Sequence, residues 1–358
     1  MTQSKLRVLV VDDSALVRQA LIELIENAPD LEVMASAADP FAAAERIRQE
    51  VPDVIILDVE MPRMDGITFL RKLMAQRPIP VIVCSTLVSD QSETMLAALE
   101  AGAVDVICKP QIGTRDFFEE SSRQIGEVIR AAGRSRPRAG KRVPAPQPAT
   151  APPCAAPRSA GRRQPIVAIG ASTGGTEALK TVLEAMPSDA PPILIVQHMP
   201  HAFTAAFAAR LNTLCRISVG EARDGDNLNP GSALIAPGGS HMLLAPGGGG
   251  GFRVQLRDGP LVSRHKPSVD VLFRSVAQLA GPKSVGVIMT GMGGDGARGM
   301  KEMRDAGART FGQNEATCVV YGMPQEAKKL GAVEMELPLD KLPTAILSCT
   351  SETAKARA

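Results

Sequence analysis

A chain of 358 residues is longer than one hydrophobic core usually spans, so two domains are expected. Its 44% hydrophobic and 22% charged residues are those of a globular protein, and the absence of Trp with a single Tyr disfavours a base-stacking surface for single-stranded nucleic acid. The formal net charge of +2 hides one segment, 131–165, that holds eight of the 40 basic residues and no acid; the remaining 32 basic residues face 38 acids, a net −6, so the basic balance belongs to that segment, which reads as a solvated linker rather than a tract for nucleic acid or anionic lipid.

The chain opens MTQSKLRVLVVDD, whose apolar run is too short for a signal segment and ends in two acids. No apolar stretch approaches the length of a membrane span. The six Cys form no CxxC pair and no Cys/His metal spacing, and Cys84 and Cys108 read as core thiols. A reducing cytoplasm is the expected setting.

Over the first 130 residues, apolar runs at 6–11, 53–57, 81–84 and 104–108 read as buried parallel strands separated by helix-period stretches. Leu16, Val17, Ala20, Leu21, Leu24 and Ile25 form one apolar helix face, and Pro29 closes that helix. Such alternation predicts a doubly wound α/β sheet, which gathers ligands at the carboxyl ends of its strands. Asp12 and Asp13 follow the first strand and Asp58 the third, while Ser85 ends the fourth and Lys109 the fifth. Three carboxylates at one sheet edge repel one another unless a hard cation lies among them, and an all-oxygen set points to Mg²⁺. Cation, ammonium and hydroxyl around one Asp equip it to accept a phosphoryl group. The plainer alternative, that strand-end Asp residues cap the following helices, serves Asp13 but not five polar groups on four strand ends.

These residues, with MPRMDG at 61–66, closely resemble the receiver domain of two-component response regulators over residues 4–130. The resemblance implies a flavodoxin-like fold with Asp58 as phosphoacceptor. It also implies Asp12, Asp13, Asp58 and the Val59 carbonyl as Mg²⁺ ligands, and Ser85 with Lys109 as the switch pair. Val106 or Ile107 stands where the family usually carries an aromatic residue.

Residues 131–163 are rich in Pro, Ala and Arg and are expected to form an extended linker. Alternation then resumes: a strand at 166–170, a helix near 175–186, a strand at 193–197 and a helix near 203–213. The Gly/Pro-rich stretch 229–259 predicts hairpins. A helix near 268–280, a strand at 285–289 and helices near 296–306 and 324–331 complete a second α/β domain, 164–350.

The run IVAIGASTGG places Ser172 on a sharp strand-to-helix turn, flanked by Gly170 and Gly174 in a G-x-S-x-G pattern. Such a turn aims the following amides, Thr173 N–H among them, at one point where an oxyanion can rest. A serine nucleophile needs a base. His198 directly follows a strand and is the best placed, with His201 as runner-up; His265 could line the same cleft, and His241 is read as structural. Asp295, in TGMGGDGARGM, can hold the His198 ring in one tautomer. A competing reading is that Gly291, Gly293 and Gly296 form a dinucleotide fingerprint, with the Ser172 turn cradling a phosphate. On these residues alone, serine hydrolase leads by a modest margin.

GASTGG, QHMP (197–200), RHKPSVDVLF (264–273), TGMGGDGA (290–297) and YGMP (321–324) together resemble the catalytic domain of the chemotaxis methylesterase (CheB) family over residues 164–345. The resemblance implies a Rossmann-like α/β domain with Ser172, His198 and Asp295 as triad and the Met292 amide, beside that of Thr173, as oxyanion donor. It implies hydrolysis of glutamyl methyl esters and deamidation of glutamines on chemoreceptors, with no cofactor in the esterase site. A histidine kinase would be the phosphodonor, and the receiver would restrain the hydrolase until Asp58 is phosphorylated. The chain would act as a monomer, without nucleic acid or membrane insertion. A signalling adaptor with a dead hydrolase domain is the alternative; a DNA-binding regulator is disfavoured because no helix-turn-helix pattern is present.

Overall fold

The computed structural model describes residues 5–61, 65–86, 92–110, 115–135 and 165–355. Residues 62–64 of MPRMDG, most of the expected linker and Cys154 lie outside them. The chain divides into two compact units, Met1–Ala139 and Gly140–Ala358.

In the first unit, β1 (Leu6–Val11), β2 (Leu31–Ala37), β3 (Val54–Asp58), β4 (Val81–Ser85) and β5 (Asp105–Cys108) form one parallel sheet in the order β2-β1-β3-β4-β5. Helices α1 (Ala15–Glu26), α2 (Pro40–Gln49), α3 (Gly66–Gln76), α4 (Ser92–Glu100) and α5 (Arg115–Arg134) connect and follow them. This is the expected flavodoxin-like winding. The inner strands β3 and β4 are buried at every residue, which is why they read as unbroken apolar runs. β2 is an edge strand with a mixed burial pattern and so carries no such run. α5 extends four residues past the boundary expected at 130. Ala131 and Ala132 are buried, and Arg130 donates to both carboxylate oxygens of Asp30 at 2.7 and 2.8 Å. That guanidinium draws the Asp30 carboxyl down to about 2.

In the second unit, seven parallel strands follow the order β14-β13-β12-β6-β7-β9-β8. They are β6 (Ile166–Ala171), β7 (Ile193–Gln197), β8 (Ser218–Glu221), β9 (Ser232–Ile235), β12 (Ser284–Ile288), β13 (Arg309–Gln313) and β14 (Met335–Leu337). The helices are α6 (Gly175–Glu184), α7 (His201–Leu214), α8 (Val269–Leu279), α9 (Ala297–Asp305), α10 (Met323–Lys329) and α11 (Leu342–Lys355). The central strands β12, β6 and β7 are wholly buried. The region expected to form hairpins yields one, β10 (His241–Pro246) with β11 (Phe252–Arg257); β9 joins the parallel sheet instead. From β6 the strand order runs outward through β7 on one side and through β12 on the other. The crevice above β6 and β12 is therefore a topological switch point, where open α/β sheets bind ligands. Val269, Phe273, Met300 and Met303 of α8 and α9 are buried in the core beneath it.

Candidate active site and phosphoacceptor site

Ser172 follows β6, His198 follows β7 and Asp295 lies in the loop after β12, so all three stand at the carboxyl edge of three neighbouring strands. The turn after Ser172 passes through Gly174 at φ +76, a conformation that a Cβ disfavours. Ser172 N–H donates to the Thr290 carbonyl at 3.0 Å, which ties the β6 turn to the β12 loop. A Cβ on Gly291 would stand 2.7 Å from Ser172 Cβ, so the backbone leading to Met292 lies directly against the serine. The Met292 amide has no backbone acceptor among the described residues.

His198 Nε2 lies 2.8 Å from Asp295 Oδ2, while its Nδ1 is buried and has no hydrogen-bond partner. Asp295 is 2% exposed and is held from every side. Ser268 Oγ donates to its Oδ1 at 2.7 Å, the Asp270 amide to Oδ1 at 3.1 Å and the Val269 amide to Oδ2 at 2.7 Å. The first amides of α8 thus bind this carboxylate as helix N-termini bind anions. Burial alone would raise the Asp295 carboxyl; hydrogen bonds from His198, Ser268 and Val269 outweigh it and hold the group below the usual range. The glycine-rich loop read as a possible dinucleotide cradle instead delivers Asp295 to this helix end.

His265 stacks on His198, with ring centroids 3.6 Å apart and planes 12° from parallel. Burial, then the neighbouring His198, push the His265 imidazole down to about 3. The turn before it, Ser263 and Arg264, runs through positive φ at both residues and is closed by paired bonds between Val262 and His265. His241 is structural as expected: it accepts from the Ser268 amide at Nδ1 and therefore donates from Nε2 to the Pro260 carbonyl. His201 is exposed at the start of α7 and takes no part in the cluster.

Sequence reasoning missed Ser268, which sits inside RHKPSVD as an ordinary helix cap. It also missed Thr290, whose buried hydroxyl donates to the Thr173 carbonyl at 2.9 Å and accepts from the Val320 amide at 3.0 Å. No periodicity or spacing marks either one.

In the first unit, Asp12, Asp13 and Asp58 each offer a carboxylate oxygen within 4.8 Å of the others. Lys109 Nζ donates to Asp58 Oδ2 at 2.7 Å and pairs with Asp12 Oδ2 at 3.0 Å. Burial would lower the Lys109 ammonium, but the two carboxylates raise it above its ordinary value; burial, with the Asp58 charge, raises Asp12. Asp58 Oδ1 accepts from the Glu60 amide at 2.9 Å. Ser85 is buried, and its hydroxyl donates to the Thr86 carbonyl at 3.4 Å. The cap of α1 falls to Ser14 rather than Asp13, which stays exposed. A cluster of hard oxygen donors with one ammonium fits Mg²⁺ and suits no soft metal.

Two family models match the chain: the response regulator receiver domain over residues 8–117 and the CheB methylesterase over residues 167–346. A protein-glutamate methylesterase/protein-glutamine glutaminase of Geobacter metallireducens is 57% identical, covering 96% of this chain and 98% of its own. One from Rhodospirillum rubrum is 58% identical, over 96% of this chain and 98% of its own. The crystal structure of the Thermotoga maritima CheB methylesterase catalytic domain has a TM-score of 0.50 at 35% identity, over 52% of this chain and 98% of that one. The chain belongs to the CheB methylesterase family and carries a response regulator receiver domain ahead of the hydrolase domain. Among the described residues no helix is long and apolar enough to cross a membrane, and the cysteines are free thiols.

Proposed function

We propose that the chain is a phosphorylation-activated hydrolase that removes methyl esters from glutamyl side chains of chemoreceptors and deamidates receptor glutamines. The observation that carries this reading is the state of His198. One ring nitrogen is committed to a buried carboxylate, and the other is buried without a partner beside the strand that carries Ser172. His198 Nδ1 takes the Ser172 Oγ proton as the oxygen attacks the glutamyl carbonyl. The amides of Met292 and Thr173 hold the oxyanion. The Nδ1 proton passes to the departing methoxide, releasing methanol, and water then opens the acyl-enzyme to a glutamyl carboxylate. With glutamine, the same steps release ammonia.

Asp58 accepts the phosphoryl group from a chemotaxis histidine kinase, while Lys109 neutralises charge and the Ser85 hydroxyl turns toward the new oxygens. Asp12, Asp13, Asp58 and the Val59 carbonyl would hold Mg²⁺, whose chemistry there is to polarise phosphoryl oxygens. The chain acts as a monomer from the cytoplasm.

The test is methanol release from methylated receptor membranes by the full chain, with and without acetyl phosphate. Wild type is expected to speed up with the phosphodonor and Asp58→Asn not to respond. Equal release by wild type and Ser172→Ala would end the reading.

The stacked imidazoles add a pH expectation. Two rings 3.6 Å apart do not both take protons, and burial with the neighbouring His198 holds the His265 imidazole well below its ordinary range. Asp295, held low, remains ionised, and Arg264 further disfavours a second proton. Activity needs a neutral base, so it falls as pH drops, and the acid limb of kcat/KM should have unit slope. A limb of twice that slope would show that His265 titrates with the base.

A further inference from the structure

Gln197, the last residue of β7, is 2% exposed and spends its side chain on two backbone carbonyls. Its Nε2 donates to the Ser172 carbonyl at 2.9 Å and to the His198 carbonyl at 3.1 Å. Both acceptors are carbonyl oxygens, so the amide has one possible orientation. We propose that Gln197 is a positioning residue of the hydrolytic site, clamping the nucleophile and base loops together and polarising the peptide that carries the Thr173 amide. The inference rests on the Ser172–His198 hydrolase reading.

The clamp sits where the sheet stops. The last ladder bond between these strands is His198 N–H to the Ala171 carbonyl at 3.0 Å. Beyond it the chain leaves β6 for α6 and β7 for α7, and the ladder no longer fixes residue 172 against residue 198. Gln197 Nε2 spans that gap. Placement within about 0.5 Å decides whether a nucleophile and base react well.

The second effect follows from covalent connectivity. The Ser172 carbonyl and the Thr173 N–H belong to one peptide unit. That carbonyl accepts from Gln197 Nε2 and also from the Gly175 amide at 2.7 Å. Hydrogen bonds to a carbonyl strengthen the N–H of the same amide as a donor. A stronger Thr173 donor matters most when charge develops on the oxyanion, so it lowers the barrier more than it tightens substrate binding.

The local cost supports a special role. Gln197 Oε1 is buried without a partner, a desolvation penalty that nothing at that atom offsets. An apolar side chain of the same length would fill the space without that penalty. The residue at 175 must also be Gly, because a Cβ there would stand 2.1 Å from Gln197 Oε1.

The test compares full-length wild type, Gln197→Met, Gln197→Glu and Ser172→Ala in methanol release. Complete labelling by a fluorophosphonate counts folded sites, so a folding loss lowers the labelled fraction while a positioning loss slows turnover at each labelled site. Removing an oxyanion donor outright costs about 10²–10³ in kcat, so weakening one is expected to cost roughly 30-fold per labelled site. KM should stay within about twofold in Gln197→Met. Gln197→Glu, which turns an oxygen toward two carbonyls, should be slower still. Wild-type kcat per labelled site in Gln197→Met, or a raised KM at unchanged kcat, would overturn the proposal and leave the hydrolase reading standing. Undiminished turnover by Ser172→Ala would overturn both.

Discussion

Ser172→Ala is expected to cut methanol release on the order of a millionfold, and Asp295→Asn about ten-thousandfold, in steady-state assays of the full chain. On the proposed mechanism, Ser172→Ala removes the attacking atom and leaves only what binding and the oxyanion amides supply. Asp295→Asn keeps the shape but reverses one end of the group. Every neighbour within hydrogen-bond reach of Asp295 offers a hydrogen: His198 Nε2, Ser268 Oγ and the amides of Val269 and Asp270. An Asn must aim its NH₂ at some of them. Facing His198, it would force the Nε2-acceptor tautomer and place the ring proton on Nδ1, the nitrogen that has to receive the Ser172 proton. Facing α8, it would set N–H against N–H and push the loop away. Either outcome removes the base while leaving Ser172 in place. The two variants should therefore differ in fluorophosphonate labelling: none with Ser172→Ala, slow but complete with Asp295→Asn. Fast labelling of Asp295→Asn would show that Asp295 does not orient the base.

How much of this was legible depended on whether a residue's role is written in its own local pattern. Asp12, Asp13, Asp58, Ser85 and Lys109 are readable because apolar runs locate the strand ends and chemistry collects there. Ser172 is readable because its turn requires glycines on both sides. Gln197 was not, because a polar residue closing a strand looks like any residue leaving a sheet, and its work is done on a carbonyl 25 positions away. Ser268 was hidden for the same reason, serving as helix cap by position while donating instead to Asp295. The hairpin expectation failed at β9 because a four-residue half-buried strand alternates whether its neighbours run parallel or antiparallel. The first domain's helical end escaped notice because Ala131 and Ala132, though buried, resemble the Ala-rich segment that follows.

Lys109→Met is expected to destabilise the receiver unit by about 3–5 kcal/mol and to abolish the response to acetyl phosphate. Asp12 and Asp58 are fully buried, and the ammonium lies 3.0 and 2.7 Å from them. Without it, two carboxylates face one another in a site of low polarisability, and Asp12 is already raised by burial and by the Asp58 charge. A loss of this size should lower the receiver's melting transition by roughly 10–20 °C in the full chain. Added Mg²⁺ should restore part of it, because a ligand that binds only the folded state stabilises that state. Lys109→Arg separates charge from geometry. The guanidinium supplies the missing positive charge, so most stability should return. Its planar fork, however, does not place a single donor on Asp58 Oδ2 as Nζ does, so the phosphodonor response should remain impaired. If Lys109→Arg recovered both, charge alone would account for the residue. If it recovered neither, the exact reach of Nζ would matter to folding as much as to switching. The split result would mean that the receiver uses one ammonium in two ways: as counter-ion for the resting fold, and as the group that turns a phosphoryl group on Asp58 into a changed rate at Ser172.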